Sequence, residues 1–284
     1  MKLAVLACVV GLVVSGALGL GYHEDVGIPM ADRMRQAEAQ AGLSRIIGGV
    51  ISKWADNPYL VGVLVTLVNG KLSVCGGTIL SETKILTAGQ CWFDGYTHSR
   101  RIQVVLDALR LFSAPRRDTN GVVIHPGFNP LTPANDLAIL TTDYIHFYRD
   151  VAPVSLPTND MVGFTFYYMT ATASGFGKSI DWAPINPEQN QQHIDVPVID
   201  FSTCYNAMGP AITISETICT GSVFGMGPCD GDLGGPLVMR KYINGTNDVL
   251  IGVTSIQSRL DCQNGFPTGY MRVTAYLGWI QSNI

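Results

Sequence analysis

From Ile46 onward the chain is a succession of short β-rich runs broken by turn residues, and this pattern restricts the fold more than any other feature. LVGVLVTLV, then Asn69-Gly70, then KLSVCGGTIL form a hairpin signal: two extended runs joined by the dipeptide that most readily takes the left-handed conformations of a two-residue turn. Similar runs recur at RIQVVLDALRLF, GVVIHP, FTFYYMTATASGFG, HIDVPVI and DVLIGVTSI. Helical periodicity is scarce until the end, where Tyr276, Leu277, Ile280 and Ile284 fall on one face of a terminal helix. The expected class is all-β, a barrel or a sandwich. The span from Ile46 to Ile284 is long enough for one large β domain or two smaller ones.

The first 45 residues have a different texture. Met1-Lys2 precedes an apolar run, Leu3 to Val14, and then the small residues Ser15, Gly16, Ala17 and Gly19, which is the build of a secretory signal peptide over residues 1–19. A membrane anchor is the alternative, but the glycine-interrupted run to Leu20 sits at the short end of the roughly 17 to 25 residues a span needs. Residues 20–45 are polar and charged, contain the short amphipathic helix MADRMRQAEAQAGL, and end at Ser44-Arg45, as a propeptide would.

Composition narrows the function classes. Cys8 lies in the leader, and Cys75, Cys91, Cys204, Cys219, Cys229 and Cys262 remain. An even number in a secreted chain predicts disulfides, although six cysteines allow about 15 connectivities and spacing alone does not choose. No CxxC pair or nearby His cluster offers metal-ligand spacing, so no metal or other cofactor is expected. With 18 Lys and Arg against 22 Asp and Glu, nucleic acid is a poor partner. Asn244-Gly245-Thr246 is a glycosylation sequon in a turn-like context.

Six local motifs fit one another. Arg45 precedes IIGGV, ILTAGQC surrounds Cys91, NDLAIL contains Asp136, GFG spans residues 175–177, ICTG contains Cys219, and CDGDLGGPL contains Cys229. In this order and spacing they resemble the chymotrypsin and trypsin-type serine proteases over nearly all of residues 46–284. The resemblance implies two antiparallel six-stranded β-barrels, divided near residue 160, with the functional cleft between them and a C-terminal helix. It implies the pairs Cys75–Cys91, Cys204–Cys219 and Cys229–Cys262, a three-bridge set more like invertebrate members, each bridge contributing roughly 2 to 4 kcal/mol. It also implies a zymogen switch in which cleavage after Arg45 frees the amine of Ile46 to pair with Asp232.

The catalytic residues depart from that pattern. Acyl transfer by this route needs a hydroxyl nucleophile, an imidazole to carry its proton and a buried carboxylate to fix the imidazole. Asp136 matches the carboxylate. Where the family reads Ala-Ala-His-Cys, this chain reads Ala88-Gly89-Gln90-Cys91, and a glutamine amide binds no proton near neutral pH. Where the nucleophilic serine should follow Asp232 stands Leu233. His98 and His125 read as loop residues and replace neither. Gly231 remains, so the backbone N–H groups of Gly231 and Leu233 retain the makings of an oxyanion hole.

The specificity pocket departs too. Its base is Gly227, with no acidic group to attract Lys or Arg. Ser255-Ile256-Gln257 stands where the family reads Ser-Trp-Gly, so Gln257 narrows the mouth, and Thr268 replaces a second glycine. The residues therefore predict a secreted, catalytically inactive homologue that binds a protein through its outer cleft and loops. The partner would be a protease, a protease inhibitor for which the protein is a decoy, or a cascade zymogen for which it is a cofactor. The rival reading is a serine-type endopeptidase with an unrecognised mechanism; family membership alone does not decide, because fold does not fix function.

Overall fold

The computed structural model of the chain describes residues 21–41, 56–106, 110–177, 191–223, 227–243, 245–257 and 265–284. The leader, Arg45, Ile46, Asn244 and Cys262 lie outside these residues, as does everything expected of them.

Two closed antiparallel barrels make up the fold. In the first, β1 (Leu60–Leu67), β2 (Leu72–Ile79), β3 (Lys84–Thr87), β4 (Ser99–Val105), β5 (Arg116–Ile124) and β6 (Ala138–Thr142) close in the order β1-β2-β3-β6-β5-β4. In the second, β7 (Thr170–Gly175), β8 (Gln192–Ile199), β9 (Thr217–Thr220), β10 (Pro236–Ile243), β11 (Asn247–Ile256) and β12 (Thr268–Arg272) close in the order β10-β11-β12-β9-β8-β7. Three α-helices accompany them among the described residues: α1 (Ile28–Ala41), α2 (Phe201–Met208) and α3 (Leu277–Gln281).

The Asn69-Gly70 turn joins β1 to β2 as expected, with Gly70 at φ +82° and Thr66 opposite Leu72. β1 is apolar on both faces because both are covered. Val61, Val63, Val65 and Leu67 point into the first barrel, while Leu60 and Leu64 lie in a separate buried cluster with Met30 and Met34 of α1. Side chains alternate along a strand, so an unbroken apolar run is the mark of a strand with no solvent face.

A third cluster joins the barrels: Tyr59, Leu86, Leu137 and Ile139 from the first pack with Val238, Leu250, Val253 and Met271 from the second. At its edge Arg240 donates to Asp56 O (2.6 Å), Asn57 Oδ1 (2.6 Å) and Thr172 Oγ1 (3.1 Å), tying the chain ahead of β1 to the second barrel. α2 is capped by the Asp200 carboxylate, which accepts from Thr203 N at 2.9 Å.

Two expectations are corrected. The run FTFYYMTATASGFG is strand only from Thr170; ahead of it Phe166 (φ +58°) and Tyr168 (φ +64°) take left-handed backbone that a strand does not admit. The terminal helix ends at Gln281, and Ile284 beyond it is exposed while Leu277 and Ile280 are buried.

Candidate active site

Asp136 is carried inward immediately before β6. Asn135 takes left-handed backbone (φ +54°), which asparagine tolerates better than most residues, and its side-chain amide donates to Gly127 O at 3.0 Å to hold the turn. The Asp136 carboxylate is fully buried and is met by donors from Gln90, Ser255 and the Gly89 backbone. Gln90 N reaches Oδ1 at 2.8 Å, while Gln90 Nε2 and Ser255 Oγ both reach Oδ2 at 2.6 Å. Burial pushes the Asp136 carboxyl above the usual range, and these hydrogen bonds pull against that shift. Gln90 sits in the 3₁₀ turn Gly89–Cys91 that follows β3. Gly89 is fitted to its surroundings, since a Cβ there would stand 3.1 Å from the ring of Phe128.

The amide of Gln90 thus occupies the place from which an imidazole would bond Asp136, but it can only donate to the carboxylate. We expect Gln90→Ala, which leaves that buried oxygen short of one donor, to lower unfolding stability by about 2 kcal/mol in denaturant titration; Gln90→His, which restores a donor, should cost less.

Leu233 is 2 % exposed and lies in the turn between Cys229 and β10. Its carbonyl accepts from Gly76 N at 2.7 Å, and its side chain belongs to the buried cluster that includes Val63, Cys75, Cys91, Tyr22 and Ile28. Gly231 has φ +98°, a conformation open to glycine and strained for other residues. Among the described residues neither Gly231 nor Leu233 donates its backbone N–H to a hydrogen bond. Cys75–Cys91 and Cys204–Cys219 are disulfide-bonded. Cys229 is bonded as well, and Cys262, its expected partner, lies outside the described residues.

Asp232 turns away from Leu233 and is buried. Gly177 N donates to Oδ1 at 2.7 Å and Cys229 N to Oδ2 at 2.9 Å. Burial raises its carboxyl to about 6 against those hydrogen bonds. A cavity of about 260 Å³ opens beside it, lined by Ser174, Gly175, His193, Gly227 and Pro228 among others. Among the described residues nothing stands within 4 Å of where a Cβ on Gly227 would be. Gln257 Nε2 donates to Cys229 O at 2.8 Å, linking the end of β11 to the Cys229 segment. Thr268 is buried in β12 opposite Thr220 of β9. His98 is exposed and stacks on Phe93 (centroids 4.0 Å apart), and His125 packs against Tyr276 and Trp279, so neither joins Gln90 and Asp136.

Nothing in the amphipathic pattern of residues 21–41 says where they go. They pack on β2 and on the Leu233 turn. Tyr22 Oη donates to Val74 O at 2.7 Å, and its phenol is pushed well up by burial and by the charges of Asp232 and Asp230. His23 is fully buried; burial pushes its imidazole down, and Nδ1 lies 2.9 Å from Ser73 Oγ. Among the described residues no three His, Cys, Asp or Glu side chains gather as a metal site, and no helix is long and apolar enough to cross a membrane.

Comparison with known proteins covers the two barrels. The trypsin family model matches residues 46–280, which leaves α1 outside the match. The chain is 32% identical over 240 residues to a collagenase of Hypoderma lineatum, covering 84% of this chain and 87% of that protein. It is 30% identical to serine protease 1 of Drosophila melanogaster (84% and 85% covered) and 29% identical to brachyurin of Leptuca pugilator (84% and 97% covered). A solved structure of HL collagenase superposes with a TM-score of 0.73 at 31% identity, covering 84% of this chain and 98% of that one. With the family model matched across both barrels and a relative 32% identical over 87% of its length, the chain belongs to the trypsin family.

Proposed function

We propose that this trypsin-family protein acts by binding and not by peptide cleavage. The carrying observation is the pair at the centre of the site: a glutamine amide held on Asp136 where a proton carrier is needed, and a buried leucine where a nucleophile is needed. In a serine protease, loss of the nucleophile or the base alone lowers turnover about 10⁶-fold. This chain lacks both, and the rings of His98 and His125 are engaged elsewhere, on Phe93 and on Tyr276 and Trp279.

Protein binding through the outer cleft fits best. The Gln257 to Cys229 bond spans the segments that border the pocket, which disfavours partners that insert a side chain there, as substrate-like inhibitors do. A role as non-catalytic cofactor of an extracellular protease cascade is therefore preferred to that of inhibitor decoy. The build of residues 1–19 supports secretion.

The test is covalent labelling. Cut after Arg45 and exposed to a serine-directed fluorophosphonate beside an active trypsin-family enzyme, this protein should take up no label and cleave no peptide ester. Labelling at a residue of the cleft, together with peptide hydrolysis, would overturn the proposal in favour of an endopeptidase, the activity that the names of its relatives carry.

A further inference from the structure

We infer that the face formed by β1, β2 and the Leu233 turn is a groove for an amphipathic helix, and that its resident ligand is this chain's own residues 21–41, held without covalent help and retained after the chain is cut at Arg45.

The helix is two-faced in the way a bound one must be. Met30, Ala31, Met34 and Ala37 are buried, while Asp32, Arg33, Arg35 and Gln36 between them are exposed. The buried face meets Leu60 and Leu64 of β1, Val74 of β2 and Phe176, all in one cluster. Fit is close enough to involve backbone. A Cβ on Gly231 would stand 3.2 Å from Met30 Cε, and a Cβ on Gly27 would collide with Ser73 Oγ.

Polar contacts fix both ends. At the first, His23 N donates to Asp94 Oδ2 at 2.8 Å, and Asp94 is itself oriented by Tyr96 N and Thr97 N on Oδ1. Lys71 pairs with Glu24 at 3.0 Å nearby. At the other, the Glu38 carboxylate accepts from Phe112 N at 2.9 Å and Ser113 Oγ at 2.6 Å. All of these contacts are made by residues 23–38, so cutting after Arg45 removes the tether and leaves them in place. A lone helix of this length is marginal in water, so its order comes from the groove.

The experiment uses the chain from residue 20 onward carrying Gly42→Ile, Leu43→Glu and Ser44→Gly, so that a protease specific for Ile-Glu-Gly-Arg cuts only after Arg45. After cutting, gel filtration at about 10 μM with mass detection should find the released piece co-eluting with the barrels, since a sub-micromolar Kd keeps most of it bound. Met34→Asp should weaken retention about 100-fold, whereas Asp32→Ala, on the exposed face, should not change it. If Met34→Asp fails to fold, exchange of a fluorescent peptide of residues 21–41 into the cut wild-type protein decides, and should be saturable and competed by unlabelled peptide. Separate elution of the wild-type piece, no peptide exchange, or a dimer in which each copy holds the other's segment would overturn the inference.

Discussion

The chain carrying Gln90→His and Leu233→Ser, cut after Arg45 and freed of residues 21–45 by the further change Met34→Asp, should hydrolyse small activated esters about 10³-fold faster than the same cut chain with Gln90 and Leu233. The carboxylate that would orient the imidazole is already in place: a histidine at 90 would present a ring N–H to Asp136 Oδ2, where Gln90 Nε2 now sits at 2.6 Å, with Ser255 Oγ completing the arrangement. The N–H groups of residues 231 and 233 have no other hydrogen-bond acceptor among the described residues, so they can meet developing oxyanion charge. Activity should stay well below that of an ordinary family member, because Gln257 still bridges to Cys229; adding Gln257→Gly should raise it toward apolar side chains, given the uncharged base at Gly227. Without Met34→Asp and before cutting, the doubly changed chain should be silent, since α1 lies over Gly231. Stopped-flow ester kinetics and fluorophosphonate labelling of the new serine check this. A folded, segment-free protein with no burst and no label would show that the oxyanion donors do not converge, and Leu233 would then be a contact of the binding face alone.

How much of this was legible in the sequence follows from the reach of each signal. Alternation and turn residues point to the all-β class and the Asn69-Gly70 hairpin because those are local, whereas the choice of two barrels over a sandwich rests on the family resemblance. Motif order brought Gln90 and Asp136 together across 46 positions, because spacing within a known fold carries tertiary information; Ser255, read as a residue of the pocket border, also donates to Asp136, across 119 positions. The short strands β3 (KILT), β6 (AILTT) and β9 (TICT) passed unmarked as strands, being four or five residues long and embedded in motifs read for chemistry. FTFYYM looked extended because hydrophobicity does not report the left-handed turns at Phe166 and Tyr168. The docking of α1 was the largest omission. An amphipathic pattern shows that one face is covered and is silent on what covers it. A usable signal was present in LVGVLVTLV: a strand apolar at every position from Leu60 to Val65 asks what lies on its outer face, and the answer is Met30 and Met34.

The uncut chain should lose about 2 kcal/mol of stability from one group, Asp232, as pH rises from about 4 to 7. An ordinary Asp titrates near 3.9, whereas burial holds Asp232 in the folded protein at about 6. The folded state therefore keeps a proton that the unfolded chain has already released across this window. A raised carboxyl stabilises fully below the unfolded value and loses that contribution as pH climbs through the folded one. Other groups titrate alongside: Asp136 is shifted in the same direction, while buried His23, shifted down, favours the folded state above its unfolded value and opposes the trend. The measurement is accordingly a difference, the urea unfolding free energy of wild type minus that of Asp232→Asn from pH 4 to 7, which should fall by about 2 kcal/mol and flatten above pH 7. Cutting after Arg45 gives the carboxylate a cation if the Ile46 amine enters the cavity beside it, and an adjacent positive charge favours the ionised form. The difference curve of the cut protein should then flatten or reverse over the same range. A cut protein whose curve still falls as the uncut one does would show that the amine never reaches Asp232, and that the cavity lined by Ser174, Gly175 and His193 no longer serves as a switch in this chain.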